Sequence, residues 1–323
     1  MLIINLSFVQ CTVTVDQSPI IIETGKPIFG VTVLYDEIFL VRDEAHEVEV
    51  YDANKLTLTG RLAVGTLVDI WDMTSSVKYS CLYIADAGKK EETNHSAGKK
   101  NDKGQFLRIF GKERSIGKKT IYDRFIHRVE LRGNVSKWAL AEFPTGLSVT
   151  PDGWNVIVTS MMERTVTEFT THGNLVRQIH LQENIVNPLQ AVQLLNGQFV
   201  ICHGLKSDKL NGVSTVGIDG CVNEHCGGRP GSSAGQMKLP IRLCVCQNGS
   251  VVVADLYNKR ILLVNQTLDD IRELISREEA NRPWLPLRMY LDEARGRLLV
   301  AECEWKESTY KHGELLVFQL KKR

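Results

Sequence analysis

Two groups of cysteine and histidine residues have the types and spacing that could do metal chemistry. Cys221, His225 and Cys226 lie within six residues of one another and could bind a zinc ion through two thiolates and an imidazole. Cys244 and Cys246 point to the same face of a strand, because side chains alternate along it, and could share a metal. Each group lacks further ligands nearby in the sequence, and the Cys-x-Cys pair stands in an apolar run typical of a buried sheet.

A nucleophile and its base are suggested by only one pair, Cys202 and His203. Neighbours on a strand face opposite ways, so these two side chains are not expected to meet. The eight histidines show no His-x-His or His-Glu-x-x-His spacing. The sequence therefore predicts no catalytic residue, no bound metal and no cofactor, which favours a non-enzymatic protein.

The strands that position these residues are predicted from a sequence motif that the chain repeats. In its clearest copy, residues 239–255, a proline begins an apolar strand, an Asn-Gly turn follows, and a second apolar strand ends at Asp255. Looser copies occupy residues 143–160, 187–203 and 285–302. A repeat of this length and content predicts a β-propeller.

The ends of the second strands give the period of the repeat. They are separated by 44, 74, 43, 52 and 47 residues and fall at Arg42, Asp86, Ser160, His203, Asp255 and Glu302. We therefore predict an all-β fold, a single six-bladed propeller domain over residues 1–323 with four-stranded antiparallel blades. The blades are expected at residues 27–64, 65–142, 143–183, 184–234, 235–280 and 281–323.

Two segments refine this outline. Because the last blade runs out of chain, an N-terminal strand within residues 11–22 is expected to close the ring, and its alternating Thr and Val suit a half-buried strand. Residues 268–280 have an apolar spacing that would also suit a short helix.

A basic segment interrupts blade 2. Residues 87–124 are rich in Lys, Gly and Asn, and this composition predicts a disordered insertion. Residues 87–128 hold twelve Lys/Arg and five Asp/Glu, which leaves 27 basic and 33 acidic residues elsewhere. The chain, whose net charge is +1, is thus an acidic ring carrying a basic loop. That loop is either a flexible arm for an acidic partner or an insertion with no role.

The composition is typical of a cytoplasmic protein. The chain has 323 residues, of which 43% are apolar and 24% charged, and no stretch approaches the roughly 18 to 20 consecutive apolar residues of a membrane helix. Half of the eight cysteines lie within or at the end of apolar strand runs, as buried reduced thiols do. No membrane contact is expected.

Blade 5 resembles the NHL repeat. The residues that carry the resemblance are Gly227-Gly228, Gly231 to Gln236, Leu239-Pro240, Val251 to Asp255 and Asn258 to Ile261. It is strong over residues 227–265, fair over 143–203 and 283–302, and weak in blades 1 and 2. Blades 3, 4 and 6 depart from it at the Asp position, where they carry Ser160, His203 and Glu302.

NHL propellers stand at the C-terminal end of tripartite-motif proteins, so the resemblance implies a recognition module for protein or RNA. In a ubiquitin ligase system of that kind, the propeller would be the substrate-recognition part. The chain has no Cys-x-x-Cys zinc spacing and no heptad run before the repeats, so ligase activity is not assigned to it.

Topology predicts where a partner binds. In such a blade, the loops between the second and third strands emerge on the same face as the connections between blades. We predict that this face binds a protein partner, because aromatic residues beside arginine are typical of interaction hot spots. The candidate residues are Met161, Arg164, Lys206, Tyr257, Lys259, Arg260, Trp305 and Tyr310. Single-stranded RNA is the alternative ligand, although the acidic ring disfavours phosphate, and a metal-dependent hydrolase or lyase is the third.

Overall fold

Six antiparallel blades form a ring, five of them four-stranded sheets and the sixth a sheet whose outer position is shared by two short N-terminal strands, and the fold class predicted from the sequence is confirmed. A computed structural model describes residues 13–15, 18–88, 124–204, 210–275, 284–306 and 309–322. The basic segment at 87–124 lies almost wholly outside the described residues, and so does Lys206. The chain begins with two short strands, β1 (Val13–Val15) and β2 (Ile20–Gly25).

The first three blades follow in chain order, each built from the channel outward. Blade 1 comprises β3 (Ile28–Leu34), β4 (Glu37–Arg42), β5 (Glu47–Asp52) and β6 (Leu58–Ala63). Blade 2 comprises β7 (Ile70–Ser76), β8 (Cys81–Asp86), β9 (Phe125–Glu130) and β10 (Val135–Ala139). Blade 3 comprises β11 (Pro144–Val149), β12 (Asn155–Ser160), β13 (Thr165–Thr170) and β14 (Leu175–His180).

The other three blades complete the ring. Blade 4 comprises β15 (Pro188–Gln193), β16 (Phe199–His203), β17 (Asn211–Val216) and β18 (Val222–Gly228). Blade 5 comprises β19 (Pro240–Val245), β20 (Val251–Asp255), β21 (Arg260–Val264) and β22 (Ile271–Ile275). Blade 6 comprises β23 (Trp284–Asp292), β24 (Arg297–Lys306) and β25 (Thr309–Lys322).

N-terminal strands supply the outer part of blade 6 and close the ring, as predicted. β25 pairs with β1 over residues 320–322 and with β2 over residues 313–317, Val15 opposite Leu320 and Ile20 opposite Val317. The backbone hydrogen bonds of β25 are thereby satisfied on both sides, so blade 6 leaves less open edge.

The possible helix within residues 268–280 is wrong for the part that the structure describes. Residues 271–275 form β22, which pairs with β21 through Val264 opposite Ile271 and Ile261 opposite Ile275. Pairing in the sheet therefore overrides a helical spacing that extends over only a few residues. Among the described residues, the helical element is a single 3-10 turn at Leu256–Asn258, and no helix there could span a bilayer.

The core lies between the blades. The middle strands are buried along their whole length in β8, β20 and β21, whereas the outer strands β6 and β14 are mostly exposed. Tyr83, Phe39 and Phe199 are the bulkiest fully buried side chains. Aromatic residues at these positions fill the wedge-shaped space between twisted sheets.

Every innermost strand carries a register shift close to its first residue. One residue is skipped in the pairing of each blade, and these six bulge residues are Phe29, Trp71, Thr145, Leu189, Ile241 and Leu287. In blades 3 to 6 the residue before the bulge is a proline, which has no N–H to donate to the ladder. A bulge turns its backbone out of the sheet, so all six blades do this at the same end of the channel.

Candidate binding site at the channel mouth

The two faces of the propeller differ in their connections. The loop-rich face carries the loops between the second and third strands, such as residues 161–164 and 256–259, and the connections between blades. The hairpin face carries the turns that join the first strand to the second and the third to the fourth, such as residues 77–80 and 150–154. Innermost strands begin at the loop-rich face, so the six bulges surround the channel mouth there.

A small cavity lies inside this mouth. Its walls are the six bulge residues, together with Arg242, Arg288 and Tyr310. Its volume is about 20 Å³, and a water-sized sphere occupies roughly 10 to 15 Å³. Five of the six bulge side chains are apolar, and the sixth, Thr145, bonds the carbonyl oxygens of Thr159 and Pro188. The cavity thus combines apolar walls with two guanidinium groups.

The residue that follows the bulge carries charge in three blades. Asp72 of blade 2 faces Arg242 of blade 5 and Arg288 of blade 6, with Oδ2 3.8 Å from the Arg242 Nε and Oδ1 3.7 Å from the Arg288 Nε. All three side chains are at most 5% exposed. The Asp72 oxygens also accept the backbone N–H groups of Met73 at 3.0 Å and Leu147 at 2.8 Å. This buried group holds two positive charges and one negative charge.

The two arginines bond the carbonyl oxygens that the bulges expose. Arg242 donates to the carbonyls of Ile241 at 2.8 Å and of Trp71 and Thr145 at 3.1 Å. Arg288 donates to the carbonyls of Phe29 and Leu287 at 2.8 Å, and also to that of Trp71. Five of the six bulge carbonyls are therefore bonded by two side chains. These bonds join blades 1, 2, 3, 5 and 6 at the centre of the ring.

The centre of the ring carries excess positive charge, because two arginines face one aspartate. Burial and the neighbouring Arg242 guanidinium lower the pKa of Arg288 to about 9, while Asp72 acts in the opposite direction. Burial also raises the pKa of Tyr310 well above its ordinary value. Tyr310 therefore stays a neutral hydroxyl, which donates or accepts a hydrogen bond.

An aromatic group covers the mouth. The ring of Tyr310 meets Trp305 edge-on at 4.7 Å between centroids and Phe29 at 5.8 Å. Tyr257, on the 3-10 turn of blade 5, is close enough to Tyr310 to influence its ionisation, and burial raises the pKa of Tyr257 to about 12. Across the mouth, Trp71 packs against Phe143 of the next blade connection at 4.7 Å. Aromatic side chains from several blades thus converge on one opening.

The structure brings together three of the predicted binding residues. Trp305 and Tyr310 are in ring contact at the mouth, and Tyr257 packs against the same hydrophobic core; all three are half-buried. Arg164 and Lys259 are partly exposed on the same face, where each ends its loop with a left-handed backbone, φ 54° and φ 53°. They lie in blades 3 and 5, so they flank the mouth without belonging to the aromatic cluster.

Met161 and Arg260 are not surface residues, which corrects their prediction as contacts. Met161 is 5% exposed and belongs to the apolar core, whereas its neighbour Met162 is 58% exposed. Arg260 is 7% exposed because its guanidinium bonds Asp255 and the carbonyl oxygens of Ser232 and Gln236.

Arg260 belongs to a closed network that holds the loop of blade 5. Asp255 accepts the Lys238 N–H at 2.6 Å, the Asn258 Nδ2 at 2.7 Å and the Arg260 Nε at 2.9 Å. Burial nevertheless raises the pKa of Asp255, against the lowering by these donors. The Asp-x-x-Asn-x-Arg pattern therefore fastens the connection between blades 4 and 5 to the second strand of blade 5.

Other blades fasten the same position differently. In blade 2, Asp86 lies 3.4 Å from His127; burial raises the pKa of Asp86, but this neighbour and three backbone N–H donors lower it overall. In blade 1, Arg42 bonds both oxygens of Glu49, at 2.9 and 2.6 Å, and this pair lines a charged surface groove of about 440 Å³. The groove is lined by both signs of charge and has no large apolar wall.

Blade 4 contains a serine between two histidines. Ser214 Oγ is 2.9 Å from His203 Nε2 and 2.8 Å from His225 Nδ1. Ser214 and His203 are at most 1% exposed, and burial, with a smaller contribution from His225, lowers the pKa of His203 to about 3. A nucleophilic serine must reach its substrate, so this trio holds strands together.

The cysteines and histidine considered as metal ligands do not come together in a site. His225 is exposed while the adjacent Cys226 is buried, so the two side chains point to opposite faces of β18. Burial raises the pKa values of Cys202, Cys226 and Cys244 to about 12, which keeps these thiols protonated. The part of the chain that the structure describes contains no group of three or more His, Cys, Asp or Glu residues arranged to hold a metal.

Comparison with known proteins gives the fold alone. No protein-family model matches the chain, and no curated protein is significantly similar to it in sequence. Many solved structures share the fold. A protein of unknown function from Bacteroides thetaiotaomicron has a TM-score of 0.60 at 9% identity, covering 95% of this chain and 73% of that one.

Two solved structures with stated activities or partners are also similar. Virginiamycin B lyase from Staphylococcus aureus has a TM-score of 0.55 at 10% identity, covering 93% of this chain and 99% of that one. A chain of the nidogen/laminin complex has a TM-score of 0.52 at 8% identity, covering 78% and 81%. One propeller acts in catalysis and the other in a protein complex, so the shared ring does not decide between these functions.

The charged centre is the part of the site that sequence reasoning missed. The sequence did indicate it: in two copies of the repeated motif, Pro240 and Pro286 are each followed two residues later by an arginine. An innermost strand faces the channel and its neighbouring blades, so a charged residue at that position had to find partners inside the ring.

Proposed function

We propose that this propeller is a non-enzymatic recognition module that binds a protein partner through the loop-rich face. The observation that carries the proposal is the convergence of Tyr257, Trp305 and Tyr310 on the channel mouth. Large aromatic side chains that are half-buried in the free protein give contact area at low entropy cost, as at interaction hot spots. Met162, Arg164 and Lys259 would extend the contact around this centre.

Two observations support a non-enzymatic role. The Ser214 hydroxyl is buried between two histidines, and the thiol of Cys202 has a raised pKa. A metal-dependent lyase or hydrolase remains the competing proposal, because one propeller of this shape is a lyase. Elemental analysis of the purified chain distinguishes them: stoichiometric zinc or calcium would contradict the recognition proposal.

We further propose that the ring is of the NHL type and works in the cytoplasm. The Asp255, Asn258 and Arg260 network supports the first point in blade 5, where the resemblance is strongest. The buried thiols Cys81, Cys202 and Cys303 support the second, because thiols persist in a reducing compartment. A tripartite-motif-like role in presenting substrates for ubiquitination would follow if the captured partner is modified in cells.

The test is quantitative capture by the full chain and two matched variants, Tyr257→Ala/Trp305→Ala and Tyr35→Ala/Trp154→Ala. Each variant removes one tyrosine and one tryptophan, the first pair from the loop-rich face and the second from the hairpin face. We expect the first variant to lose a specific protein partner, with affinity falling at least about tenfold, and the second to retain it. Loss only in the second variant would contradict the site.

RNA is distinguished in the same experiment. Nuclease treatment leaves capture of a protein partner unchanged, whereas it releases a partner held through RNA. Binding of a single-stranded RNA pool whose affinity falls steeply with salt would replace the protein proposal with the RNA alternative.

A further inference from the structure

The cavity at the channel mouth has more hydrogen-bond donors than acceptors. A guanidinium has five N–H donors and no acceptor, and Arg242 and Arg288 make three hydrogen bonds each, all to backbone carbonyls. Within the described residues, the Arg242 Nε and the Tyr310 hydroxyl are buried without a hydrogen-bond partner. Buried donors left in this state cost free energy.

The charge of the cavity points the same way. Two buried guanidinium groups face a single carboxylate, Asp72, at 3.7 and 3.8 Å, beyond hydrogen-bond distance. Each Asp72 oxygen already accepts a backbone N–H, so the carboxylate is shared between backbone and arginine. One positive charge is therefore left in a site from which most water is excluded, where it is costly unless an anion compensates it.

The size of the cavity limits what can enter it. Its volume of about 20 Å³ admits one particle about the size of a water molecule. Sulfate, phosphate and a carboxylate with its carbon chain are all larger than this. Tyr310 covers the cavity from the loop-rich side, where its ring packs against Phe29 and Trp305.

We infer that the channel mouth is a binding site for a small monovalent anion of halide size, held by Arg242, Arg288 and the Tyr310 hydroxyl. The bound ion would balance the charge of the ring centre and join blade 6, through Tyr310, to blade 5. This inference needs no partner protein, so it stands or fails separately from the recognition proposal.

The first experiment measures the thermal unfolding midpoint of the full chain in sodium salts at constant ionic strength, with chloride or bromide replacing gluconate. Ligand binding to the folded state raises the midpoint in a saturable way, and we expect a rise on the order of a few degrees at saturation. An equal midpoint in all three salts would overturn the inference, since water would then satisfy the donors. In a parallel series with acetate, a rise in acetate but not in chloride would also overturn it, because acetate is larger than the site.

Variants connect the response to the cavity. Tyr310→Phe removes one donor and should raise the half-saturating bromide concentration roughly tenfold or more, as expected for a hydrogen bond to a charged group. Tyr290→Phe is the matched control, because its hydroxyl lies further along the channel and bonds the Val33 carbonyl at 3.1 Å. The control should lower the midpoint equally in every salt and keep the bromide response. An unchanged half-saturating concentration in Tyr310→Phe would contradict the assignment.

A crystal grown in bromide locates the ion directly. We expect an anomalous peak within hydrogen-bond distance of the Arg242 Nε and the Tyr310 hydroxyl. Bromide peaks on the surface alone would overturn the inference even if the midpoint rises. This measurement uses the unmodified chain, so it does not depend on whether an Arg242 variant folds.

Discussion

The two faces of the propeller use their large apolar side chains in opposite ways. On the loop-rich face, aromatic residues from blades 1, 2, 5 and 6 converge on the channel mouth and are half-buried or buried there. On the hairpin face they stand out singly in short turns, with exposures between 52% and 90%, and these residues are Tyr35, Val77, Trp154, Leu195 and Ile218. An exposed residue is ordinary on a protein surface, whereas convergence around an opening builds a site.

Local contacts explain why the hairpin face does not converge. Its turns are short, and its aromatics are held by neighbours in the next blade. The Lys78 ammonium lies 3.2 Å from the centre of the Trp154 ring, and the Tyr35 hydroxyl bonds Ser80 at 2.6 Å. These contacts fasten blades 1 to 3 to one another.

The largest expected effect comes from breaking the centre of the loop-rich end. Arg288→Ala removes one of the two cations that face Asp72 and leaves the Phe29 and Leu287 carbonyls without a donor. Because three hydrogen bonds from a charged group are lost and their carbonyl acceptors stay buried, we expect the free energy of unfolding to fall by about 3–5 kcal/mol, measured by urea denaturation. Tyr290→Phe, nearer the hairpin face, should cost about 1 kcal/mol. Equal losses in the two variants would contradict the view that the loop-rich end holds the ring together.

Close packing between blades gives the next largest effect. A Cβ at residue 146 would lie 2.5 Å from the Leu189 carbonyl oxygen and 2.9 Å from the Gln190 Cα, both of which are backbone atoms. Gly146→Ala should therefore cost about 1–3 kcal/mol. Gly60→Ala is the control, because a Cβ there meets nothing within 4 Å, and its effect should stay within about 0.5 kcal/mol. A stable Gly146→Ala variant would show that blades 3 and 4 can separate at the mouth.

The sequence predicted the blades, but it did not predict the details that depend on how neighbouring strands are aligned. The period of the repeat identified the ring, whereas Arg260 was predicted as a surface contact although it bonds the buried Asp255. The positions of the bulges could not be predicted, because they depend on which residue is left unpaired when two neighbouring strands form hydrogen bonds. For the same reason sequence reasoning chose Met161, which is buried, over Met162, which is exposed. The aromatic residues were predicted to lie on the loop-rich face but not at the channel mouth. The orientation of the blade 6 hairpin decides this, and the periodicity of its sequence does not indicate that orientation.

An effect of pH should arise in blade 4. The folded pKa of His203, about 3, lies below its ordinary value of 6.5. Between pH 3 and 6.5 this histidine binds a proton in the unfolded chain but not in the folded chain, so the free energy of unfolding falls as the pH drops below about 6.5. His203→Gln keeps a partner for Ser214 and removes this proton, and urea unfolding from pH 7.5 to 4.5 should show a shallower decline than in the wild type. Parallel declines would mean that other groups, such as His225, dominate.

The smallest effect is expected on the hairpin face. Trp154 is 52% exposed and touches mainly Lys78 and Tyr79. Trp154→Ala should lower the free energy of unfolding by about 1 kcal/mol or less. A loss comparable to that of Arg288→Ala would mean that the hairpin face carries structure which its contacts do not reveal.

Site-specific photo-crosslinking shows directly whether a partner binds the loop-rich face. A photoreactive amino acid replaces either Met162, 58% exposed on the loop-rich face, or Leu195, 90% exposed on the hairpin face. Neither position contributes a packed side chain, so both proteins should fold. We expect a cross-linked partner of defined mass from position 162 and none from position 195 after irradiation in cells. A defined adduct from position 195 alone would contradict this expectation.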